Sequence, residues 1–136
     1  MQPVRIERAR INGIAAKLRA EGFDPDIEGE WYAIIETGIR SVARVRQIAG
    51  HEVLDCVWVH PEHRSIGFGT KLIIGIVDER EALWLICDED ISKFYDRLGF
   101  RTLGVRAAPE PLVAHWNARG ELPSPEDHKH VVMRRP

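Results

Sequence analysis

Apolar residues along the N-terminal half of the chain recur with two different spacings. Between residues 11 and 18 they lie three or four positions apart, which predicts an amphipathic helix. Residues 31–36 form an apolar run rich in β-prone side chains, and residues 41–48 alternate, with Arg44 and Arg46 on one side of the predicted strand. Because a Thr-Gly pair separates these two runs, the pattern predicts an antiparallel hairpin.

The second half of the chain changes period more often. Apolar residues 53–59 predict a strand, residues 68–77 a helix, and the apolar run 83–87 a second strand. A strand, a helix and a strand in this order imply a parallel pair joined by a crossover. Further elements are predicted as a helix over 91–98 that stops at Gly99, a strand over 102–107, a helical turn within 108–129, and a closing strand over 131–133.

These elements together predict an α/β (α+β) fold. The expected architecture is a mixed, mostly antiparallel central sheet with helices on both faces and one parallel crossover pair. The chain has 136 residues, which fits a single domain over 1–136. With 44% hydrophobic and 29% charged residues it has the composition of a soluble globular protein.

Charge and hydropathy narrow the class of partner. A formal net charge of −2 argues against nucleic-acid binding by bulk charge, so no nucleic-acid partner is expected. The apolar runs are too short to cross a membrane, and the charged N-terminus does not resemble a signal peptide, so we expect a cytoplasmic protein without a membrane partner. The six histidines show no metal-ligand spacing with a third ligand, and no metal site is predicted.

The stretch from Val57 to Leu72 carries the clearest chemical signal. A β-type apolar run ends near Val59, a charged segment follows, and Gly67 and Gly69 open the predicted helix. Glycines let a ligand approach the backbone closely, and the N–H groups at a helix N-terminus attract anions. The stretch therefore predicts a site for a phosphate or pyrophosphate that is bound mainly by main-chain groups.

Two motifs in this sequence resemble those of the GNAT acetyltransferase superfamily. Arg64-Ser65-Ile66-Gly67-Phe68-Gly69 is similar to the family's acyl-CoA loop, Arg/Gln-x-x-Gly-x-Gly/Ala. Phe94-Tyr95-Asp96-Arg97-Leu98-Gly99-Phe100 resembles its second marker, an aromatic-Tyr-x-x-Leu-Gly-Phe segment. The resemblance implies an N-acetyltransferase that uses acetyl-CoA as acyl donor and a small-molecule or peptide primary amine as acceptor, by direct transfer.

The same resemblance implies which residues bind the cofactor. Asp88 stands where many family members carry an Asn, and its alternative role is to cap the helix that follows. Neither Cys56 nor Cys87 lies beside an activating base in the sequence, so no covalent acyl-enzyme is expected. The residues assigned to the cofactor are Val57, Val59, Arg64, Ile66, Gly67, Phe68, Gly69, Thr70, Asp88 and Tyr95.

Tyr95 and Asp55 are the predicted catalytic residues. Tyr95 matches the family's general acid, and a phenol is protonated at neutral pH and able to protonate the departing thiolate. Asp55 lies on the strand that precedes the loop and has the same strand parity as three valines, so apolar surroundings are expected to raise its pKa. Alternatives for the base are Glu52, His51 and His60.

Two other functions compete with an acetyltransferase. A dinucleotide site would use Gly67 and Gly69 with Asp88 as the ribose-binding acid, but Leu72 replaces its third glycine. A non-catalytic CoA-responsive module is the second alternative. For the acceptor, an acidic loop over 24–30 and a pocket lined by Trp31 or Trp116 are the candidates, and a homodimer formed through 108–129 is possible.

Overall fold

The computed structural model of the chain describes residues 3–20, 28–60, 67–78, 80, 82–104, 107–118 and 130–136. A short 3₁₀ turn, Glu89–Ile91, precedes the third helix. The helices are α1 (Arg8–Ala20), α2 (Phe68–Val77), α3 (Ser92–Asp96) and α4 (Glu110–Ala118). The strands are β1 (Val4–Arg5), β2 (Glu30–Ile35), β3 (Ile39–Ile48), β4 (His51–Val59), β5 (Leu83–Asp88), β6 (Arg101–Leu103) and β7 (His130–Arg135).

The strands form one mixed sheet in the order β1-β2-β3-β4-β5-β7-β6. Neighbouring pairs β1/β2, β2/β3, β5/β7 and β6/β7 are antiparallel. The pair β4/β5 is parallel, with Val53 beside Trp84, and α2 lies between these two strands in the chain. The predicted fold class, with its parallel crossover pair, is therefore confirmed.

The chain divides into two compact units. The first comprises Met1–Arg46 and Leu54–Glu79, and the second comprises Gln47–Val53 and Arg80–Pro136. Strand β4 contributes its first three residues to the second unit and the rest to the first.

The core of the first unit forms where α1 packs against the sheet. The helical spacing predicted from the sequence is confirmed, because Ile11, Ile14 and Leu18 are all buried. We call this group the α1 cluster; its buried members are Ile6, Ile11, Ile14, Leu18, Trp31, Ala33, Val42 and Trp58.

The second unit has its own core beneath α4. The sequence predicted only a helical turn in this region, whereas α4 runs for nine residues and buries Leu112 and Trp116 almost completely. Trp116 is therefore a core residue, and its predicted place in an acceptor pocket is wrong. The buried members of this core are Val53, Trp84, Ala108, Leu112, Trp116 and Val132.

The region after β5 differs from the prediction in its boundaries. The predicted helix over 91–98 is present as the 3₁₀ turn followed by α3, which ends at Asp96. Gly99 has the positive φ of 94° that suits a glycine just after a helix. Strand β6 covers only Arg101–Leu103 of the expected strand, and residues 105 and 106 lie outside the described residues.

Two helical glycines offer a matched test of packing. A Cβ at Gly75 in α2 would collide with the Pro3 ring, whereas a Cβ at Gly13 in α1 would meet nothing within 4 Å. We expect Gly13→Ala to stabilise the protein by about 0.5–1 kcal/mol through the lost freedom of glycine in the unfolded chain. Gly75→Ala should destabilise it by about 1–3 kcal/mol, because the clash outweighs that gain. Urea unfolding measures both, and shifts of equal sign would contradict the predicted contact with Pro3.

Candidate active site

The predicted acyl-CoA loop over 64–69, called the glycine loop below, ends with Gly67, Phe68 and Gly69 at the N-terminus of α2. These three residues belong to the first unit. Gly67 is the N-cap residue, with φ 94° and ψ 3°, and no side chain caps this helix. The Gly67 carbonyl accepts the first helical hydrogen bond from Lys71 N–H at 3.0 Å. The amides of residues 69 and 70 belong to the first turn, whose N–H groups have no partner within a helix and are available to an anion. The predicted cofactor residues Arg64 and Ile66 lie outside the described residues.

A buried serine on β3 holds the start of α2. The Ser41 hydroxyl donates a hydrogen bond to the Phe68 carbonyl at 3.4 Å, and Ser41 is fully buried. Apolar burial also holds this end of the helix, since Phe68, Leu72 and Ile73 are buried. Sequence reasoning missed Ser41, because a single serine in an alternating strand carries no signal for a partner 27 residues away.

Strand β4 contains an irregularity just before the loop. Cys56 has a φ of 51°, in the left-handed region that residues other than glycine rarely adopt. Cys56 and Trp58 both pack against the α1 cluster. Asp55 faces the same side of the sheet, because it pairs with Arg44, whose guanidinium lies over Trp31 of that cluster. Adjacent residues 55 and 56 therefore face one side, as they do in a β-bulge, and alternation after Cys56 is reversed.

The bulge changes the surroundings predicted for Asp55. Its carboxylate accepts two hydrogen bonds from Arg44, from Nε at 2.7 Å and from Nη2 at 2.8 Å. Arg46 Nε lies 3.3 Å from the second carboxylate oxygen. The expected apolar environment, shared with Val57 and Val59, is wrong, because two arginines lie beside the carboxylate and the bulge turns those two valines to the other side of the strand. Whether Asp55 acts as the base stays a prediction.

The alternative base candidates lie at both ends of β4. Glu52 forms an ion pair with Arg80, at 2.9 Å, within the second unit. His60 follows the strand in the first unit, and its ring meets Trp58 edge-on with centroids 5.8 Å apart. His51 opens the strand and is half-buried. Among these residues no side chain is selected as the base by its contacts alone.

Tyr95 is the buried residue of α3. Its ring makes edge contacts with Phe94 and Phe100, at centroid distances of 5.0 Å and 5.6 Å. Within the part of the chain that the structure describes, the Tyr95 hydroxyl has no hydrogen-bond partner, although the residue is only 5% exposed. Burial raises the pKa of Tyr95 well above its usual value, and the nearby Cys87 raises it further. The phenol therefore keeps its proton at neutral pH.

Cys87 lies near the end of β5 and is also buried. Its Sγ is 3.8 Å from the Met133 sulfur. Burial raises the pKa of the Cys87 thiol to about 11, and the charge of Asp88 adds to the shift. A thiol is nucleophilic only as a thiolate. Cys87 is therefore a protonated core thiol at neutral pH, and the absence of a covalent intermediate stays a prediction.

The raised pKa of Cys87 predicts a loss of stability at alkaline pH. The value rises from 9.0 to about 11 on folding, so the folded state holds the proton more tightly than the unfolded state. The contribution of the Cys87 proton to the free energy of unfolding is fully present below pH 9. It falls by about 2 kcal/mol as pH rises to 11, since one pKa unit corresponds to about 1.4 kcal/mol. Urea unfolding from pH 8 to 11 should show a smaller decline for Cys87→Ala than for the unmodified protein. Equal declines would contradict the shift.

Asp88 ends β5 with an exposed side chain. One carboxylate oxygen lies 3.0 Å from His130 Nε2, and the two residues are strand partners in β5 and β7. Asp88 occupies the N-cap position of the 3₁₀ turn, but its side chain makes no capping hydrogen bond. The capping role considered for Asp88 is therefore wrong, while its contact with the cofactor stays a prediction.

An open cavity lies in the first unit beside the start of α1. Its volume is about 590 Å³, and its lining includes Trp31, Gly29, Glu7 and the arginines Arg5 and Arg8. Its lining is largely charged, and Trp31, which borders it, is fully buried. No helix within the described ranges is long and apolar enough to cross a membrane.

Three features together indicate a class of protein: a mixed α/β sheet, glycines at the N-terminus of the helix that follows β4, and a buried tyrosine whose hydroxyl has no partner within the described residues. A family profile described as "Acetyltransferase (GNAT) domain" matches residues 28–102, more than half of the chain. The chain belongs to the GNAT acetyltransferase family, and the prediction of an acyltransferase of this type is confirmed. No curated protein matches the sequence.

Solved structures show the same fold at low sequence identity. N-acetylglutamate synthase from Neisseria gonorrhoeae, complexed with coenzyme A and N-acetyl-glutamate, has a TM-score of 0.76 and 17% identity over 98% of this chain, which spans only 34% of that protein. The ribosomal-protein-S18-alanine N-acetyltransferase from Escherichia coli has a TM-score of 0.71 and 15% identity, covering 99% and 92% of the two chains. A variant of spermidine N-acetyltransferase from Vibrio cholerae has a TM-score of 0.67 and 13% identity, covering 99% and 94%.

Proposed function

We propose that this protein is an N-acetyltransferase that moves an acetyl group from acetyl-CoA directly to a primary amine. The observation that carries the proposal is Tyr95, a residue only 5% exposed in a GNAT family member, whose hydroxyl has no hydrogen-bond partner within the described residues. The hydroxyl oxygen is itself not fully buried, so it is accessible to a substrate, and proton donation to the departing thiolate gives it a role.

For the donor, we propose that the pyrophosphate of acetyl-CoA lies on the amides of residues 66–70. Support comes from the left-handed Gly67, the absence of a side-chain cap, and the amides of Gly69 and Thr70 in the first turn of α2. Arg64 adds positive charge, and the main chain of Val57 and Val59 contacts the rest of the cofactor. The contact proposed for Asp88 is compatible with its 60% exposed side chain.

In the transfer, the amine nitrogen attacks the thioester carbonyl carbon and a C–N bond forms as the C–S bond breaks. Tyr95 donates its phenolic proton to the sulfur, and the amine gives up a proton to a base. We propose Asp55 as that base, with Glu52, His51 and His60 as the alternatives. Both oxygens of the Asp55 carboxylate contact arginines, and this arrangement is the observation that favours a non-catalytic CoA-responsive module as the second candidate function.

The acceptor is proposed to be a small-molecule or peptide amine. Structural relatives of this fold carry names with quite different acceptors, so the fold does not select one. The cavity beside α1 supports the predicted acceptor pocket only through Glu7, whose carboxylate is able to pair with a cationic amine but lies beside Arg5 and Arg8. Trp31 borders the cavity, but it is fully buried and its ring lies against the Arg44 guanidinium, so it is a core residue like Trp116. The predicted homodimer and the cytoplasmic location stay proposals.

Two experiments test this function. Calorimetric titration should show acetyl-CoA binding and no tight NAD(H) binding; the reverse result would favour the dinucleotide alternative. A panel of amines, with release of the CoA thiol as the signal, should identify at least one acceptor. Acetyl-CoA binding without turnover of any small amine or peptide N-terminus would instead support the CoA-responsive module.

A further inference from the structure

An arginine lies in the interior of the first unit. Arg44 is on β3, and its side chain is fully buried. It forms the bidentate pair with Asp55 on β4. Its guanidinium lies 5.4 Å from the ring centre of Trp31, and Nη1 donates to the Glu28 carbonyl at 3.3 Å. Burying a charge is costly unless it is paired and hydrogen-bonded. Arg44 meets that condition, because it contacts the Glu28 carbonyl before β2, the Trp31 ring on β2 and the Asp55 carboxylate on β4.

The partner of Arg44 directly precedes the strained residue of β4. A non-glycine residue in the left-handed region costs about 1–3 kcal/mol and persists only when its surroundings fix it. Cys56 is held on both sides: Asp55 is bound by Arg44, and Trp58 is 7% exposed within the α1 cluster. The ion pair and the buried indole together keep the extra residue of the bulge in place.

The bulge determines which way the end of β4 faces. Shifting the pairing of a strand by one residue moves every later side chain to the opposite face. Without the bulge, Trp58 would leave the α1 cluster, and Val57 and Val59 would turn toward it. Val59 is the last residue of β4, and both Val57 and Val59 are assigned to the cofactor, so the same change would reorient the strand end that is proposed to bind the donor.

We propose that Arg44 is a positioning residue for acyl-CoA binding, which acts through Asp55 to hold the bulge at Cys56. This role rests on the proposed function, because it concerns the strand end and the loop assigned to the cofactor. Arg44 touches neither the cofactor nor the acceptor, and its effect is exerted on binding of the donor. A base role of Asp55, in contrast, would act on kcat.

The test separates positioning from stability. Breaking a buried ion pair by removing one partner is strongly destabilising, whereas replacing both partners by apolar residues is often neutral. The double variant Arg44→Met/Asp55→Leu is therefore expected to remain folded. We expect it to bind acetyl-CoA about tenfold more weakly by calorimetry. Amide hydrogen exchange should be faster in the peptide that covers residues 55–59, and the conservative variant Arg44→Lys should retain part of the affinity.

Arg80→Gln is the matched control. This variant removes the arginine that pairs with Glu52, a carboxylate that lies on β4 before the bulge. Acetyl-CoA affinity and amide exchange at residues 55–59 should be unchanged in it. A folded double variant with unchanged affinity and unchanged exchange would overturn the positioning role of Arg44 and leave the proposed function standing. Failure of the unmodified protein to bind acetyl-CoA would overturn the proposed function first, so the two failures are distinguishable.

Discussion

Replacing Tyr95 by Phe is expected to lower kcat by about 10²- to 10⁴-fold, the usual contribution of a general acid. Phenylalanine preserves the ring that packs against Phe94 and Phe100, so the fold and α3 should be unaffected. The hydroxyl has no partner in the described structure, and its removal leaves no other polar group unsatisfied there. The dissociation constant of acetyl-CoA should therefore change by less than about twofold. Steady-state kinetics with the best amine, together with calorimetry, measure both quantities.

Tyr32→Phe is the matched control, since these are the two tyrosines of the chain. The Tyr32 hydroxyl donates to the Glu30 carboxylate at 2.8 Å on β2, and we expect its removal to leave kcat unchanged. An unchanged kcat in Tyr95→Phe would exclude proton donation by Tyr95.

The raised pKa of Tyr95 adds a second expectation. At pH values up to about 10, loss of the Tyr95 proton should not lower kcat, because the folded protein holds this proton above the usual pKa of tyrosine.

The second large effect is expected for Gly67→Val. At φ 94° a β-branched residue is strongly disfavoured, by about 2 kcal/mol, so the loop would relax toward a negative φ and its amides would no longer converge. Binding would have to restore the strained conformation. We therefore expect acetyl-CoA affinity to fall about 30-fold, the equivalent of about 2 kcal/mol. Calorimetric titration of acetyl-CoA measures the change.

Gly38→Val controls for backbone strain alone. Gly38 has a φ of 117° between β2 and β3, and a Cβ at Gly38, as at Gly67, would meet no atom within 4 Å. Both variants should therefore lose similar stability in urea, while only Gly67→Val should lose affinity for acetyl-CoA. Equal affinities for the two variants would show that the loop does not hold the pyrophosphate.

Local patterns were sufficient for most of the fold. The buried residues of α1 follow its 3.6-residue period, and the parallel pair of β4 and β5 follows from the order strand, helix, strand. The boundaries were less predictable. Helix α3 ends at Asp96, before the predicted end at residue 98, and α4 is longer than the expected turn, because packing onto the sheet decides where each element ends.

The sequence also indicated the loop and Tyr95, because both belong to contiguous motifs whose spacing survives any detail of packing. The environment of Asp55 could not be predicted in this way. Strand parity assigned it to an apolar face, and that inference fails wherever a bulge adds a residue. No residue type marks a bulge at Cys56, since the left-handed conformation there is imposed by contacts with other strands.

The sequence by itself therefore determined the order of the elements, the mixed sheet, the glycine loop at the start of α2, and the tyrosine of α3. Each of these depends on residues that are close together in the chain. Only the tertiary structure decided the burial of Arg44, its pair with Asp55, and the bond from Ser41 to Phe68. These contacts join residues that are 11 and 27 positions apart, and an alternating strand gives the same pattern whether its polar side faces water or a buried partner.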